Sequence, residues 1–192
     1  MTRVAHTVFM SYPKRRLAAA CARANVWDER AVAWARRLWH RWPTLDAASV
    51  VLGRWAPLAM VFTMGWAAAT GVPRALGCGL CAVAAAVAVR VANEIAARLV
   101  HRPRPFEQKA FVPLLAHGRG DSFPSNHAAG AFALAVAFWP VPGYRVLLVG
   151  LAILLCVSRV YHGLHYPSDV IAGAWHGAVM GLAALWLIPP LA

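Results

Sequence analysis

Long apolar blocks bounded by Pro, Gly and Arg constrain this chain more than any other feature of its sequence. Runs such as "CGLCAVAAAVAV" and "AGAFALAVAF" lack the polar stripe that a helix of a soluble bundle turns to water. A membrane span needs about 20 predominantly apolar residues. Five such spans are expected, over 47–69, 75–99, 128–139, 146–157 and 170–187. The third and fourth are short as pure apolar runs, and they lengthen only if polar motif residues occupy their ends. The expected fold is therefore all-α, a polytopic membrane helix bundle of about five transmembrane helices.

Ahead of the spans, "DERAVAWARRLWHRW" alternates Trp and Leu with Arg at helical spacing. That pattern predicts an amphipathic helix lying in the membrane interface, with Trp27, Trp34, Trp39 and Trp42 at head-group depth. Pro43 ends it. Residues 1–44 are thus expected to form a basic tail and interfacial helix, and 45–192 a membrane-embedded domain. The first 25 residues lack the long apolar core of a signal peptide. Of 192 residues, 60% are hydrophobic and 14% charged, with 19 Lys plus Arg against 7 Asp plus Glu. All the cations but Lys14 and Lys109 are arginine. In a chain seated in lipid, such a bias points to head groups and phosphates rather than nucleic acid. Cys78 and Cys81 form a C-x-x-C inside an apolar span with no second ligand pair, so they read as small buried hydrophobes, and no metal or cofactor is expected.

Three polar clusters fall on one side of the five-span topology: "ARLVHRPRPFEQ" where the second span ends, "FPSNHA" where the third begins, and "SRVYHGLHYPSD" between the fourth and fifth. In the second, Ser125 suits a helix N-cap, which leaves the amides of Asn126 and His127 as open donors beside a favourable dipole. In the third, Pro167 suits a first helical turn. Asp169 then lies four residues after His165, near enough to accept one imidazole N–H and leave the other nitrogen as a nucleophile. Arg104 and Arg159 supply forked donors for phosphate oxygens. One histidine to attack, one to protonate, and arginines to hold moving charge are the parts of a metal-free phosphoryl transfer.

These residues resemble the signatures of the type 2 phosphatidic acid phosphatase superfamily, K-x6-R-P, P-S-G-H and S-R-x5-H-x3-D. Ser158, Arg159, His165 and Asp169 meet the third. Pro124, Ser125 and His127 meet the second, with Asn126 in place of glycine. Arg104 and Pro105 meet the end of the first, and Ala97 stands where the lysine is expected, so Arg98 or Arg102 is a candidate replacement. The missing lysine, with "RPF" and "SFPS-x-HA", is more like the bacitracin-resistance branch, the undecaprenyl-pyrophosphate phosphatases of cell-wall biogenesis. The resemblance covers roughly residues 45 to 188. It implies His165 as the nucleophile that becomes phosphohistidine, Asp169 as its orienter and His127 as general acid. Arg104, Ser125, Arg159 and the Asn126 amide would hold phosphoryl oxygens, and Ser158 either touches substrate or merely caps and packs.

Other readings stand beside this one. A lipid monophosphate is the alternative substrate, and a small transporter or channel is the alternative class, although its polar residues would be spread through the depth of the spans. A structural scaffold has no use for a His–Asp pair among arginines. A vanadate-type haloperoxidase shares the signature logic without needing five spans. His6, His40, His101, His117 and His176 read as interfacial or internally satisfied, and His162 is left unassigned. Arg90 and Glu94, four apart in the second span, are either functional intramembrane charges or a pair that simply neutralises itself, and Arg54 reads as a snorkelling cation. The positive-inside rule places the catalytic loops on the cytoplasmic side of the cell membrane, whereas the resemblance implies the periplasm or exterior.

Overall fold

The computed structural model describes residues 25–187. Helix α1 covers 25–36, and turns follow to Trp42. Then come α2 (Pro43–Ala69), α3 (Ala75–Val100), the single turn α4 (Pro105–Gln108), α5 (Asn126–Ala137), a 3-10 turn (Pro142–Tyr144), α6 (Arg145–Tyr161) and α7 (Pro167–Leu187). Prolines set several starts: Pro43, Pro105 and Pro167 each open a helix, where a missing N–H costs nothing. The reading of the sequence up to residue 24 lies outside the described residues.

Four helical stretches are long and apolar enough to cross a membrane: Pro43–Ala69, Ala75–Val100, Pro142–Tyr161 and Pro167–Trp186. The chain is thus a multi-pass membrane protein. Leu58, Phe62, Leu80, Val87 and Ile95 stand exposed along α2 and α3, as lipid-facing side chains do. The expected fourth span reaches its length by taking in the 3-10 turn and the motif residues Ser158 and Arg159. The expected third does not. Helix α5 has 12 residues, about 18 Å of rise against a hydrocarbon core of about 30 Å. It sits inside the bundle, against α2, α3, α6 and α7, and Ala128, Ala129, Ala131, Ala133 and Ala135 are buried around its circumference. Its apolar run reflects burial in protein, not contact with lipid.

Close approach between α5 and α7 rests on three glycines one turn apart. A Cβ on Gly173 would lie 2.4 Å from the Ser125 carbonyl oxygen, one on Gly177 2.0 Å from that of Ala129, and one on Gly181 2.9 Å from that of Ala133. This is small-residue packing, which lets backbones meet where no hydrophobic effect drives helices together. Cys78 and Cys81 are buried in the core on the α3 side.

The amphipathic segment does more than lie in the interface. Trp27, Trp34 and Trp42 are exposed, as an interfacial helix requires. However, helix ends at 36, and Trp39 turns inward to donate to the Tyr161 carbonyl at 2.7 Å. Val32, Ala35 and Asp28 are buried, so α1 packs down onto the loops that join the spans.

Candidate active site

Residues from the three polar clusters meet at the ends of α3, α5, α6 and α7. Ser125 caps α5, and its backbone N–H donates to the Asp169 carbonyl at 3.0 Å. Gly173 lets that contact form. The "PSNH" terminus is therefore locked to the first turn of α7. Asn126 and His127 follow in the first turn of α5, where their amides have no carbonyl one turn back to bond.

His165 is 2% exposed. Its Nδ1 lies 2.8 Å from the Ser122 carbonyl, which can only accept, so Nδ1 carries the proton and Nε2 the lone pair. Arg104 donates to that lone pair through Nη1 at 3.1 Å, and to the Leu164 carbonyl at 3.2 Å. Burial, then the Arg104 charge, hold the His165 pKa well below the usual histidine value. Both effects favour the neutral ring, the form in which Nε2 keeps its lone pair.

Asp169 does not take the imidazole proton, contrary to the expectation from spacing. Its Oδ2 is 4.0 Å from His165 Nδ1. That oxygen accepts instead from the Ser122 hydroxyl and from the Tyr166 amide, the latter at 2.8 Å. The carboxylate holds the two segments that hold His165. Four residues of separation put Asp169 near the ring, but the loop between them turns the ring toward a different acceptor. Ser122, fully buried, is the residue that sequence reasoning passed over. It stands two places before the "PSNH" proline, in a position that no helix periodicity marks.

The arginines divide into two groups. Arg104 and Arg159 are buried, and the Nε of each has no hydrogen-bond partner among the described residues. A buried donor left open is costly, and an anion is one partner that would satisfy both. Burial lowers the Arg104 pKa from its ordinary value, and a bound anion would relieve that cost. Arg159 also donates to the Gly53 carbonyl. Gly53 is a second residue without a sequence signal: a Cβ there would sit 2.7 Å from His162 Cε1. Arg102, by contrast, is occupied. Its Nη1 meets Asp169 Oδ1 at 2.5 Å and Ser168 Oγ at 2.7 Å, and its Nη2 meets Asp28 Oδ2 at 2.7 Å. Arg98 is exposed on the last turn of α3. Ser158 gives its hydroxyl proton to the Leu155 carbonyl at 2.7 Å. Of the ten residues named from sequence, the geometry gathers His165, His127, Asp169, Arg104, Arg159, Ser125 and Asn126, and leaves Arg98, Arg102 and Ser158 without an open donor at the centre.

His127 and Asn126 line a cleft of about 170 Å³ with Pro57 of α2, Arg90 of α3 and Leu155 of α6. Among the described residues Arg90 forms no ion pair with Glu94, so of the two readings left open by their spacing the self-neutralising pair is not made. Asn126 is held by Asn93 Nδ2 at 3.0 Å, and Asn93 Oδ1 by His176 Nδ1 at 2.6 Å. His176 is thereby internally satisfied, as expected. His117 Nδ1 lies 2.9 Å from the Gly118 carbonyl, so it is internally satisfied as expected, and its ring lies 6.2 Å from that of His127.

A model of the PAP2 superfamily matches residues 75–191. The chain belongs to the PAP2 superfamily. A lipid A 1-phosphatase of Rhizobium johnstonii is 42% identical over 92 residues, covering 44% of this chain and 37% of that protein. The putative undecaprenyl-diphosphatase YbjG of Escherichia coli K12 is 39% identical over 83 residues, 42% of each chain. The chain thus spans about two fifths of the length of these curated relatives. Among solved structures, a transmembrane PAP2-type phosphatidylglycerolphosphate phosphatase from Bacillus subtilis superposes with a TM-score of 0.61 at 20% identity, covering 83% of both chains. At that identity the likeness establishes the fold, which this PAP2 protein shares.

Proposed function

We propose that this PAP2 protein is an integral membrane lipid phosphatase that converts undecaprenyl pyrophosphate to undecaprenyl phosphate through a phosphohistidine intermediate. The observation that carries the proposal is His165 Nε2, bare of hydrogen and faced by Arg104 at 3.1 Å, with open Nε donors on the buried Arg104 and Arg159. A terminal phosphate entering there would draw the Arg104 guanidinium onto its oxygens and free the Nε2 lone pair. Nε2 then attacks phosphorus, and the bond from phosphorus to the bridging oxygen breaks. His127 gives that oxygen its proton, and the lipid phosphate departs. Water next attacks phosphorus and gives its proton to His127, the phosphorus–nitrogen bond breaks, and inorganic phosphate leaves with Nε2 restored. Arg104, Arg159 and the helix-terminal amides of α5 stabilise the equatorial oxygens throughout. They supply the positive charge that a metal ion would otherwise bring.

The cleft beside His127 supports a lipid substrate, since it lies among spans and is lined by Gly130, Ala131, Leu134 and Leu155. A head group would reach the histidines while its tail stays among the helices. We place the catalytic loops on the periplasmic or outer side of the cell membrane, as the resemblance implies.

A lipid phosphomonoester is the second reading, and a specific observation favours it. Arg102 is committed to two carboxylates, so "RPRP" offers one open arginine at the centre, enough for a single phosphate. The 42% identity to a lipid A 1-phosphatase points the same way. Phosphate release from undecaprenyl pyrophosphate, farnesyl pyrophosphate, phosphatidate, phosphatidylglycerophosphate and lipid A in matched detergent separates the two. The first reading predicts the highest kcat/KM on the diphosphates. Faster hydrolysis of a monophosphate replaces it with the second and leaves the chemistry intact. No hydrolysis of any of them removes both.

A further inference from the structure

We infer that Asp28, on the amphipathic helix α1, is a positioning residue for the nucleophile, acting through Arg102 and Asp169. The inference rests on the phosphatase reading and adds to it a residue outside the matched family segment, which begins at residue 75.

Asp28 is out of place for an interfacial helix. Its side chain is 5% exposed, and a carboxylate is not buried to that degree unless it is paired. Three donors explain it. Arg102 Nη2 lies 2.7 Å from Oδ2, the Ser168 amide lies 3.0 Å from Oδ1, and the Ser168 hydroxyl bonds Oδ2. Two of these belong to the first turn of α7, whose orphan amides and dipole favour an anion. Asp28 therefore caps the catalytic helix from a separate element.

The same carboxylate fixes Arg102. The guanidinium sits between two buried carboxylates, one nitrogen on Asp28 and the other on Asp169 at 2.5 Å. A planar fork held at both tips cannot swing. Released at Asp28, its Nη2 keeps only the Asn25 side chain at 3.2 Å, and the guanidinium, 19% exposed, can shift against Asp169. Asp169 would then be held less firmly by its one arginine partner among the described residues. From Asp169 the chain continues to the Ser122 hydroxyl, and from the Ser122 carbonyl to His165 Nδ1 at 2.8 Å. A run of charge-assisted and neutral hydrogen bonds thus joins α1 to the nucleophile, and its contacts are those of a strap across the loops.

Asp28→Asn tests this, because it keeps the shape and removes the charge. With the best substrate of the panel above, kcat should fall roughly ten- to hundredfold through misplacement of the nucleophile, with KM within about twofold. Asp28→Glu should restore part of the loss. In an Arg102→Gln background, adding Asp28→Asn should lower kcat no further, since both act through one link. Glu29→Gln is the control: Glu29 lies on the same helix but pairs with Lys109 at the surface, so its kcat should match wild type. Thermal melts in detergent accompany each variant. Unchanged kcat in a folded Asp28→Asn protein overturns the inference and leaves the phosphatase reading standing. Equal losses in Asp28→Asn and Glu29→Gln also overturn it, in favour of general docking of α1. A wild-type protein that hydrolyses no lipid phosphate overturns both.

Discussion

In the proposed mechanism one hydrogen bond, from His165 Nδ1 to the Ser122 carbonyl, decides which imidazole nitrogen reacts. Replacing that ring removes the nucleophile: His165→Ala should lose turnover by at least about a thousandfold while the protein stays folded. His127→Ala should slow lipid substrates by roughly a hundredfold or more, and slow an aryl phosphate with a good leaving group far less. Equal effects on both substrate types would remove His127 from the role of general acid. A pH profile tests the nucleophile from another side. Burial and Arg104 lower the His165 pKa, so the reactive neutral form persists as pH falls through the ordinary histidine range. The acid limb of kcat/KM should therefore lie below pH 6.5, the usual histidine value; a limb at or above it contradicts the proposed environment. At this scale the sequence marks the chemistry-bearing residues, since histidines and arginines are conspicuous among apolar spans. It does not mark their partners. Ser122 acts through a backbone carbonyl and Gly53 through an absent side chain, and neither leaves a pattern to read. Arg98, Arg102 and Arg104 are alike by spacing, and only the path of the chain after α3 sends one inward, one to the carboxylates and one to the surface.

The elements carry the site as rigid parts. Gly173, Gly177 and Gly181 bring α7 against α5, and this contact sets Ser125 on Asp169. Gly177→Ala would force a methyl group to 2.0 Å from the Ala129 carbonyl, so the helices must part. The expected cost is about 1–3 kcal/mol, read as a lower melting temperature in detergent, with activity lost in parallel. Gly150→Ala meets open space and should change stability by less than about 0.5 kcal/mol. If the two variants melt alike, close α5–α7 packing is not what positions the "PSNH" terminus. The long spans were legible from hydropathy alone, and the start at Pro167 from its position; Pro43, read as the end of the preceding helix, and Pro105, read only as a motif residue, also open helices. The short central α5 was not, because an apolar run buried in protein and one facing lipid have the same composition. Nor was the docking of α1, since an amphipathic stripe says only that one face is covered and not by what.

As a whole, the molecule is a membrane-embedded bundle whose polar clusters meet at the ends of four helices, where the proposed anion site is built from arginines and helix-terminal amides. Its chemistry should survive excess EDTA, and vanadate, which adopts the pentacoordinate geometry of phosphoryl transfer, should inhibit it. An absolute requirement for an added divalent cation would sink the proposed mechanism, because the arginines would then be insufficient to hold the charge. The central claim is that His165 carries the phosphoryl group between lipid and water. Trapping that intermediate tests it most directly. Purified protein is mixed with farnesyl pyrophosphate radiolabelled in its terminal phosphate and quenched within milliseconds in alkali, where phosphohistidine survives and phosphoserine does not. The account predicts label bound to the wild-type chain, released by acid, mapped to the peptide containing His165, and missing from His165→Ala. Wild-type turnover with no bound label, or label that persists in His165→Ala, would contradict it.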